Sequence, residues 1–173
     1  MKIFIPNNFQ ELLKVRVLYK ERAEWLRERG IPQWEDVDTR YSAERLMQLA
    51  LQEVLYALEH NGQIIAAGCL FKKDKMWEDV PCVQGKKVLF IHGLVSKQGL
   101  ENNTMAKPGK MFLKMVEAKA LLGDYSHIAL DCRKENERLN DYYESFGFVE
   151  RITKNYSSTG EIASLKAKYI RGE

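Results

Sequence analysis

Nowhere does the sequence hold an apolar run approaching the roughly 18 residues that argue for a membrane-spanning helix, so no membrane association is expected. Cysteine is scarce: Cys69, Cys82 and Cys132 are odd in number and far apart. They match neither a disulfide framework nor zinc-ligand spacing, which points to a reducing, cytoplasmic setting and to no metal centre. With only 4 prolines, and no repeat or low-complexity linker, the chain reads as a single domain over residues 1–173. Charge of one sign is also lacking. The net charge of +3 is too small to argue for nucleic acid. Basic residues alternate with acidic ones in Lys20-Glu21-Arg22 and Arg27-Glu28-Arg29, a pattern of solvated helix faces. The opening Met1-Lys2-Ile3-Phe4-Ile5-Pro6 is too short for a signal peptide. What remains is a globular composition, 45% hydrophobic and 29% charged over 173 residues, enough for a full core.

The most informative stretch is Lys87 to Ala120. Val88-Leu89-Phe90-Ile91 is apolar and β-branched, and with His92-Gly93-Leu94-Val95 it reads as a buried strand. A polar segment, Ser96 to Lys107, leads to Pro108-Gly109-Lys110. Met111, Phe112, Met115, Val116 and Ala120 then recur at helical spacing. Pro108 suits a first helical turn. Free amides at that helix start, with Lys107 and Lys110 beside Gly109, have the makings of an anion site. An ordinary connection with solvated lysines has the same pattern. No Walker loop is present, since that needs two glycines five apart followed by Lys-Ser/Thr.

In chain order, Lys2 to Ile5 is a short strand, and Asn8 caps a helix from about Phe9 to Arg29. Leu12, Leu13, Val17, Leu18, Trp25 and Leu26 form its expected apolar side. Gly30 and Pro32 end it, and Trp34 follows on a loop, to plug a core edge or to contact a ligand. Ser42 opens a second helix to about Gln52. Glu53 to Glu59 and Gln63 to Phe71 are strands joined by Asn61-Gly62, the strongest short hairpin signal because both residues accept positive φ. His127 to Asp131 is another buried strand. A helix carrying Leu139, Tyr142, Tyr143 and Phe146 comes next, and strands beginning at Phe148 and Glu161 close the chain. The order is β-α-α-β-β-β-α-β-α-β-β. The strand-helix-strand unit across 88–131 requires a parallel crossover, whereas the hairpins are antiparallel, so a mixed sheet with helices on both faces is expected.

Leu130-Asp131-Cys132, Asn136, Leu139 and Tyr142-Tyr143-Glu144-Ser145-Phe146-Gly147-Phe148 together resemble the last part of the GNAT N-acetyltransferase superfamily. Trp25-Leu26-Arg27, Gly30-Ile31, Gln33-Trp34, Asp74, Trp77 and Ile91-His92-Gly93-Leu94-Val95 are similar to earlier segments of one bacterial branch. The resemblance implies an α/β fold: a mixed, mostly antiparallel sheet of about seven strands with a central parallel pair, flanked by about four helices. It implies acetyl-CoA as acyl donor, no metal, and a small-molecule or peptide amine as acceptor. Homodimers are common in the family. One departure stands out. Where the family shows Arg or Gln and a first Gly before the third helix, this chain has Thr104 and Lys107, and only Gly109 fits. A catalytically inactive acyl-CoA-binding or interaction module is the alternative that this departure favours.

The resemblance also assigns residues. Leu94, Val95, Lys107, Gly109, Lys110 and Asn136 would bind the coenzyme, with Asn136 open also to a helix-capping role. Tyr143 takes the position of the proton donor to the departing thiolate; a tyrosine on an apolar helix stripe is otherwise core. His92 has a suitable pKa for the base, and a core histidine bonded to backbone is its other reading. Asp74 and Glu101 read as solvated loop carboxylates. Trp34 is the candidate acceptor contact.

Overall fold

A computed structural model describes residues 1–31, 33–98, 107–156 and 159–170. Pro32, Glu101 and Thr104 lie outside the described residues, and with them most of the loop before the third long helix. The elements are β1 (Lys2–Phe4), α1 (Phe9–Arg27), α2 (Val37–Arg40), α3 (Ala43–Leu51), β2 (Leu55–His60), β3 (Gln63–Phe71), β4 (Val88–Ser96), α4 (Pro108–Leu122), β5 (His127–Arg133), α5 (Glu137–Glu144), β6 (Val149–Asn155) and β7 (Ile162–Tyr169). The order agrees with expectation apart from α2, a four-residue turn of helix. The strands form one seven-stranded sheet in the order β1-β2-β3-β4-β5-β7-β6. β4 and β5 pair in parallel; β1–β2, β2–β3, β5–β7 and β6–β7 pair antiparallel. No helix among the described residues is long and apolar enough to cross a membrane.

Contacts divide the chain into two compact units. One comprises Met1–Leu70 and Gly93–Met115, the other Phe71–His92 and Val116–Glu173.

In the first unit, Asn8 caps α1 by accepting from the Glu11 N–H at 3.0 Å, and Ser42 caps α3 through the Arg45 N–H at 3.2 Å. Asn61 and Gly62 take φ values of +49° and +75° between the paired His60 and Gln63, the tight hairpin that this dipeptide encodes. The inward face of α1 differs from expectation. Leu12, Val15, Leu18, Tyr19, Ala23 and Leu26 are buried, whereas Leu13 and Val17 are exposed. Trp25 is half-buried and is stacked by the guanidinium groups of Arg29, 4.0 Å from the ring centroid, and Arg22, 5.1 Å away. Tyr19 faces inward in their place, because its ring stacks on Tyr41 at 3.6 Å and its hydroxyl has a backbone acceptor.

The second unit is built on Trp77, Val80, Val83, Val88, Phe90, Ala129, Ala163, Leu165 and Ala167, a core that joins β4, β5 and β7 to the connection before β4. That connection, residues 72–87, is largely irregular. Its one regular piece is a 3-10 turn, Lys75–Trp77, held because Trp77 is buried against Phe90. This turn positions the candidate site.

Candidate active site

The parallel ladder runs from Val88 opposite His127 to Ile91 opposite Leu130 and stops there, although β4 continues to Ser96 and β5 to Arg133. His92 and Asp131 are the first residues beyond its last rung. Gly93 follows with φ +58°, a left-handed conformation in a strand that only glycine holds at little cost. Within the first unit, Tyr19 donates to the Gly93 carbonyl at 2.8 Å, and a Cβ on Gly93 would lie 2.5 Å from the Tyr41 hydroxyl oxygen.

Side chains alternate along a strand, so His92 and Asp131 share the face of Phe90 and Ala129. The Lys75–Trp77 turn brings a third polar group to that face. Asp74 caps the turn, its Oδ1 accepting from the Met76 N–H at 2.9 Å, while its Oδ2 lies 2.9 Å from His92 Nε2. Oδ2 is buried and has no other hydrogen-bond partner, so an imidazole N–H on Nε2 is what satisfies it. The other ring nitrogen, Nδ1, faces Asp131 Oδ1 at 3.9 Å. Tyr156, just beyond β6, donates its hydroxyl to Asp131 Oδ2 in a short hydrogen bond. Lys154 of β6 donates to the Met76 carbonyl at 2.7 Å and pairs with Asp79, which anchors the turn from below. Phe71 packs edge-on to the His92 ring at 5.3 Å. The imidazole side chain keeps 37% of its exposure, against 9% for Asp74 and 12% for Asp131, so the ring is the accessible member.

The electrostatics follow from this sandwich. Burial alone would lower the His92 pKa, but the Asp74 hydrogen bond and the charges of Asp131 and Asp74 outweigh it and hold the pKa above its ordinary value. Burial pushes Asp74 up; the His92 hydrogen bond and charge, the Met76 N–H and Lys154 more than reverse this and leave it lowered. Asp131 stays raised. Its burial, with the Asp74 charge, exceeds the opposing effects of Tyr156 and His92. Asp74, His92 and Asp131 also offer three donor atoms within 4.8 Å of one another. The carboxylates address different ring nitrogens, whereas a metal would take a single nitrogen with both carboxylates. The arrangement therefore favours proton traffic.

The opposite face of β5 carries Cys132, whose thiol donates to Asn140 Oδ1 of α5 at 3.4 Å. Asn140 also donates to the carbonyls of Arg133, Lys134 and Asn136, which fixes α5 against the end of β5. Tyr143 sits one turn further along α5, buried at 7% exposure and in edge contact with Phe148. Consequently Tyr143 belongs to the helix on the Cys132 face, while His92 and Asp131 lie on the other face of the sheet.

The remaining expected site residues fall as follows. Leu94 and Val95 are on the part of β4 beyond the ladder, Val95 being buried. Lys107 is exposed directly before α4, and Gly109 and Lys110 are in its first turn. Asn136 caps α5, accepting from the Leu139 N–H at 3.1 Å. Trp34 is half-buried at φ +63° and edge-on to Tyr19 and Tyr41 in the first unit. Of these, only His92 enters the polar cluster. Asp74, expected to be solvated, is instead ion-paired and mostly buried. Asp131 and Tyr156 were not anticipated as site residues. Asp131 carried a signal, as the one acid in β5, following the apolar Ile128-Ala129-Leu130; Tyr156 carried none.

The described elements thus build a mixed sheet whose parallel pair, β4–β5, separates beside an ion-paired histidine. The chain belongs to the acetyltransferase (GNAT) family, whose sequence pattern it matches over residues 18–148. None of the curated proteins matches it in sequence. Among solved structures, it is similar to an acetyltransferase of the GNAT family from Listeria monocytogenes 4b F2365, at 22% identity and TM-score 0.74, covering 97% of this chain and 94% of that one. A GNAT-family acetyltransferase from Streptococcus agalactiae 2603 is 10% identical at TM-score 0.75, covering 99% and 96%. The PaiA N-acetyltransferase of Thermoplasma acidophilum, solved in complex with coenzyme A, is 15% identical at TM-score 0.69, covering 98% and 99%. At these identities the likeness is one of fold.

Proposed function

We propose that this chain is a cytoplasmic, acetyl-CoA-dependent N-acetyltransferase acting through one catalytic domain on a primary amine of a small molecule or peptide. The observation that carries the proposal is the Asp74–His92 pair at the end of the parallel ladder, with the imidazole as the accessible member. Three free thiols, Cys69, Cys82 and Cys132, fit a reducing compartment.

Asp74 holds the proton on His92 Nε2 and so leaves the Nδ1 lone pair available. His92 takes a proton from the acceptor nitrogen as the new C–N bond forms at the thioester carbonyl. Backbone N–H groups of β4 beyond the ladder, around Leu94 and Val95, stabilise the oxygen that gains charge. The C–S bond then breaks, and Tyr143 gives its hydroxyl proton to the thiolate. Tyr143 regains a proton from solvent and His92 releases one to it. Lys107, Gly109 and Lys110 hold coenzyme phosphates at the start of α4, and Asn136 contacts the pantetheine arm while capping α5.

Calorimetric titration with acetyl-CoA and CoA, paired with amine-dependent thiol release, tests this reading. Binding should be micromolar. Ligand at about 100 times its dissociation constant should stabilise the fold by roughly 2.7 kcal/mol. No heat and no thermal shift at millimolar ligand would contradict it and favour an interaction module.

A further inference from the structure

We propose that Asp131 Oδ1 and His92 Nδ1 form a two-point seat for the ammonium group of the acceptor, held in place by Tyr156. The enzyme then selects amines that are cationic at neutral pH over amines that are not. This rests on the acetyltransferase reading and adds to it the chemical class of the acceptor.

The geometry carries the argument. Each outer atom of the cluster is occupied: Nε2 by Asp74, and Oδ2 of Asp131 by the Tyr156 hydroxyl. The two inner atoms, Nδ1 and Oδ1, face each other at 3.9 Å. That gap is too long for a direct hydrogen bond, yet a single nitrogen or water between them can reach both at ordinary distances. An ammonium carries several N–H donors on one atom and so satisfies both acceptors at once.

Charge points the same way. Two carboxylates flank one imidazole, so with His92 neutral and Nδ1 free to accept, the cluster carries surplus negative charge. Of the nearby cations, Lys154 pairs with Asp79 and lends part of its charge to Asp74 on the far side of the imidazole, and Arg133 pairs with Glu161 at 2.9 Å and Glu135 at 3.8 Å. A cationic headgroup completes the balance in a largely buried setting; an arylamine or an alcohol does not. Phe71, edge-on to His92, gives the seat an apolar wall for the carbon attached to that nitrogen. Before attack the bound ammonium loses one proton through His92 Nδ1 to solvent. Asp131 remains anionic and stabilises the imidazolium formed in that step.

The test compares n-butylamine, an ammonium at neutral pH, with 2,2,2-trifluoroethylamine, which is largely uncharged there, using the wild-type chain, Asp131→Asn and Tyr156→Phe. Asp131→Asn should raise KM for butylamine about 10-fold or more, the scale of a lost hydrogen bond between charged groups. KM for trifluoroethylamine should change less than about 3-fold by the same reasoning, whereas kcat should fall alike for both amines because Asp131 also stabilises the His92 imidazolium. Tyr156→Phe should move the same ratio in the same direction by a smaller factor, and it decides the matter if a thermal melt shows Asp131→Asn unfolded. Calorimetric titration of butylammonium into the CoA-bound protein should lose affinity in parallel. Equal rises in KM for both amines, or no rise in KM for butylamine, would overturn the seat while leaving the acetyltransferase reading intact. Wild-type protein that binds no acetyl-CoA and acetylates neither amine would overturn both, and the CoA titration tells the two failures apart.

Discussion

His92 and Asp131 stand opposite each other one residue past the last rung of the β4–β5 ladder, with 3.9 Å between Nδ1 and Oδ1. Strand separation and the polar pair are therefore one feature. Where the backbones stop bonding to each other, two side chains on the same face take over. Asp74 reaches the pair only because the buried Trp77 pins the turn that Asp74 caps.

The pH profile should report this sandwich. A base must be neutral to act, and His92 is held above its usual value of about 6.5. Activity should therefore fall, as pH decreases, through a midpoint above that value. The charged and titratable groups facing the ring are Asp74, with Lys154 behind it, and Asp131, with Tyr156 behind it. Asp74→Asn removes the hydrogen bond to a carboxylate and the Asp74 charge, both of which raise the His92 pKa, and leaves burial, which lowers it, against the Asp131 charge alone. The acid limb of kcat should move to lower pH, with a reduced plateau because Nε2–H is no longer enforced. A limb that stays in place or moves upward would separate Asp74 from the proton transfer.

Tyr143→Phe keeps the ring packed against Phe148 and removes only the hydroxyl. Loss of a general acid costs about 10²–10⁴-fold in rate, and the low end is expected here because a thiolate already leaves well. The loss should fall on kcat, with KM for acetyl-CoA nearly constant. If Tyr143 is only a core residue, the variant melts lower and turns over at the wild-type rate per folded molecule.

The fold was legible where periodicity and turn chemistry act locally. Asn61-Gly62 encodes its hairpin, the apolar run from Val88 marks β4, and Asn8, Ser42 and Asn136 cap helices by side-chain chemistry visible in sequence. The polar cluster was not legible as a set. Asp74, His92, Asp131 and Tyr156 come from a turn, two strands and the residue after a third strand, and only the tertiary fold brings them together. The face of α1 was misjudged for a related reason. Leu13 and Val17 fit a helical stripe as well as Val15 and Tyr19 do, and it is the Tyr41 ring and the Gly93 carbonyl that draw Tyr19 inward.

Gly93→Ala tests the left-handed residue that follows His92. The substitution forces an L-residue to φ +58° and sets its Cβ against the buried Tyr41 ring. Left-handed backbone costs about 1–2 kcal/mol and overpacking about 1–3 kcal/mol. Denaturant unfolding should show a loss of about 2–5 kcal/mol. A loss under about 0.5 kcal/mol, the level of an ordinary surface change, would mean that β4 adjusts there freely.

Lys107→Ala tests the start of α4. Lys107 is exposed, so the loss of affinity for CoA should be modest, about two- to five-fold, and should shrink further in high salt. Unchanged affinity at low salt would remove Lys107 from the phosphate site.

His92→Gln, assayed by amine-dependent thiol release alongside acetyl-CoA calorimetry, probes the central claim most directly. Gln preserves a hydrogen bond to Asp74 but cannot take up a proton near neutral pH. Turnover should fall about 10²–10³-fold, while acetyl-CoA affinity and the melting temperature stay close to those of the wild type. Wild-type turnover in a folded His92→Gln protein would contradict the account.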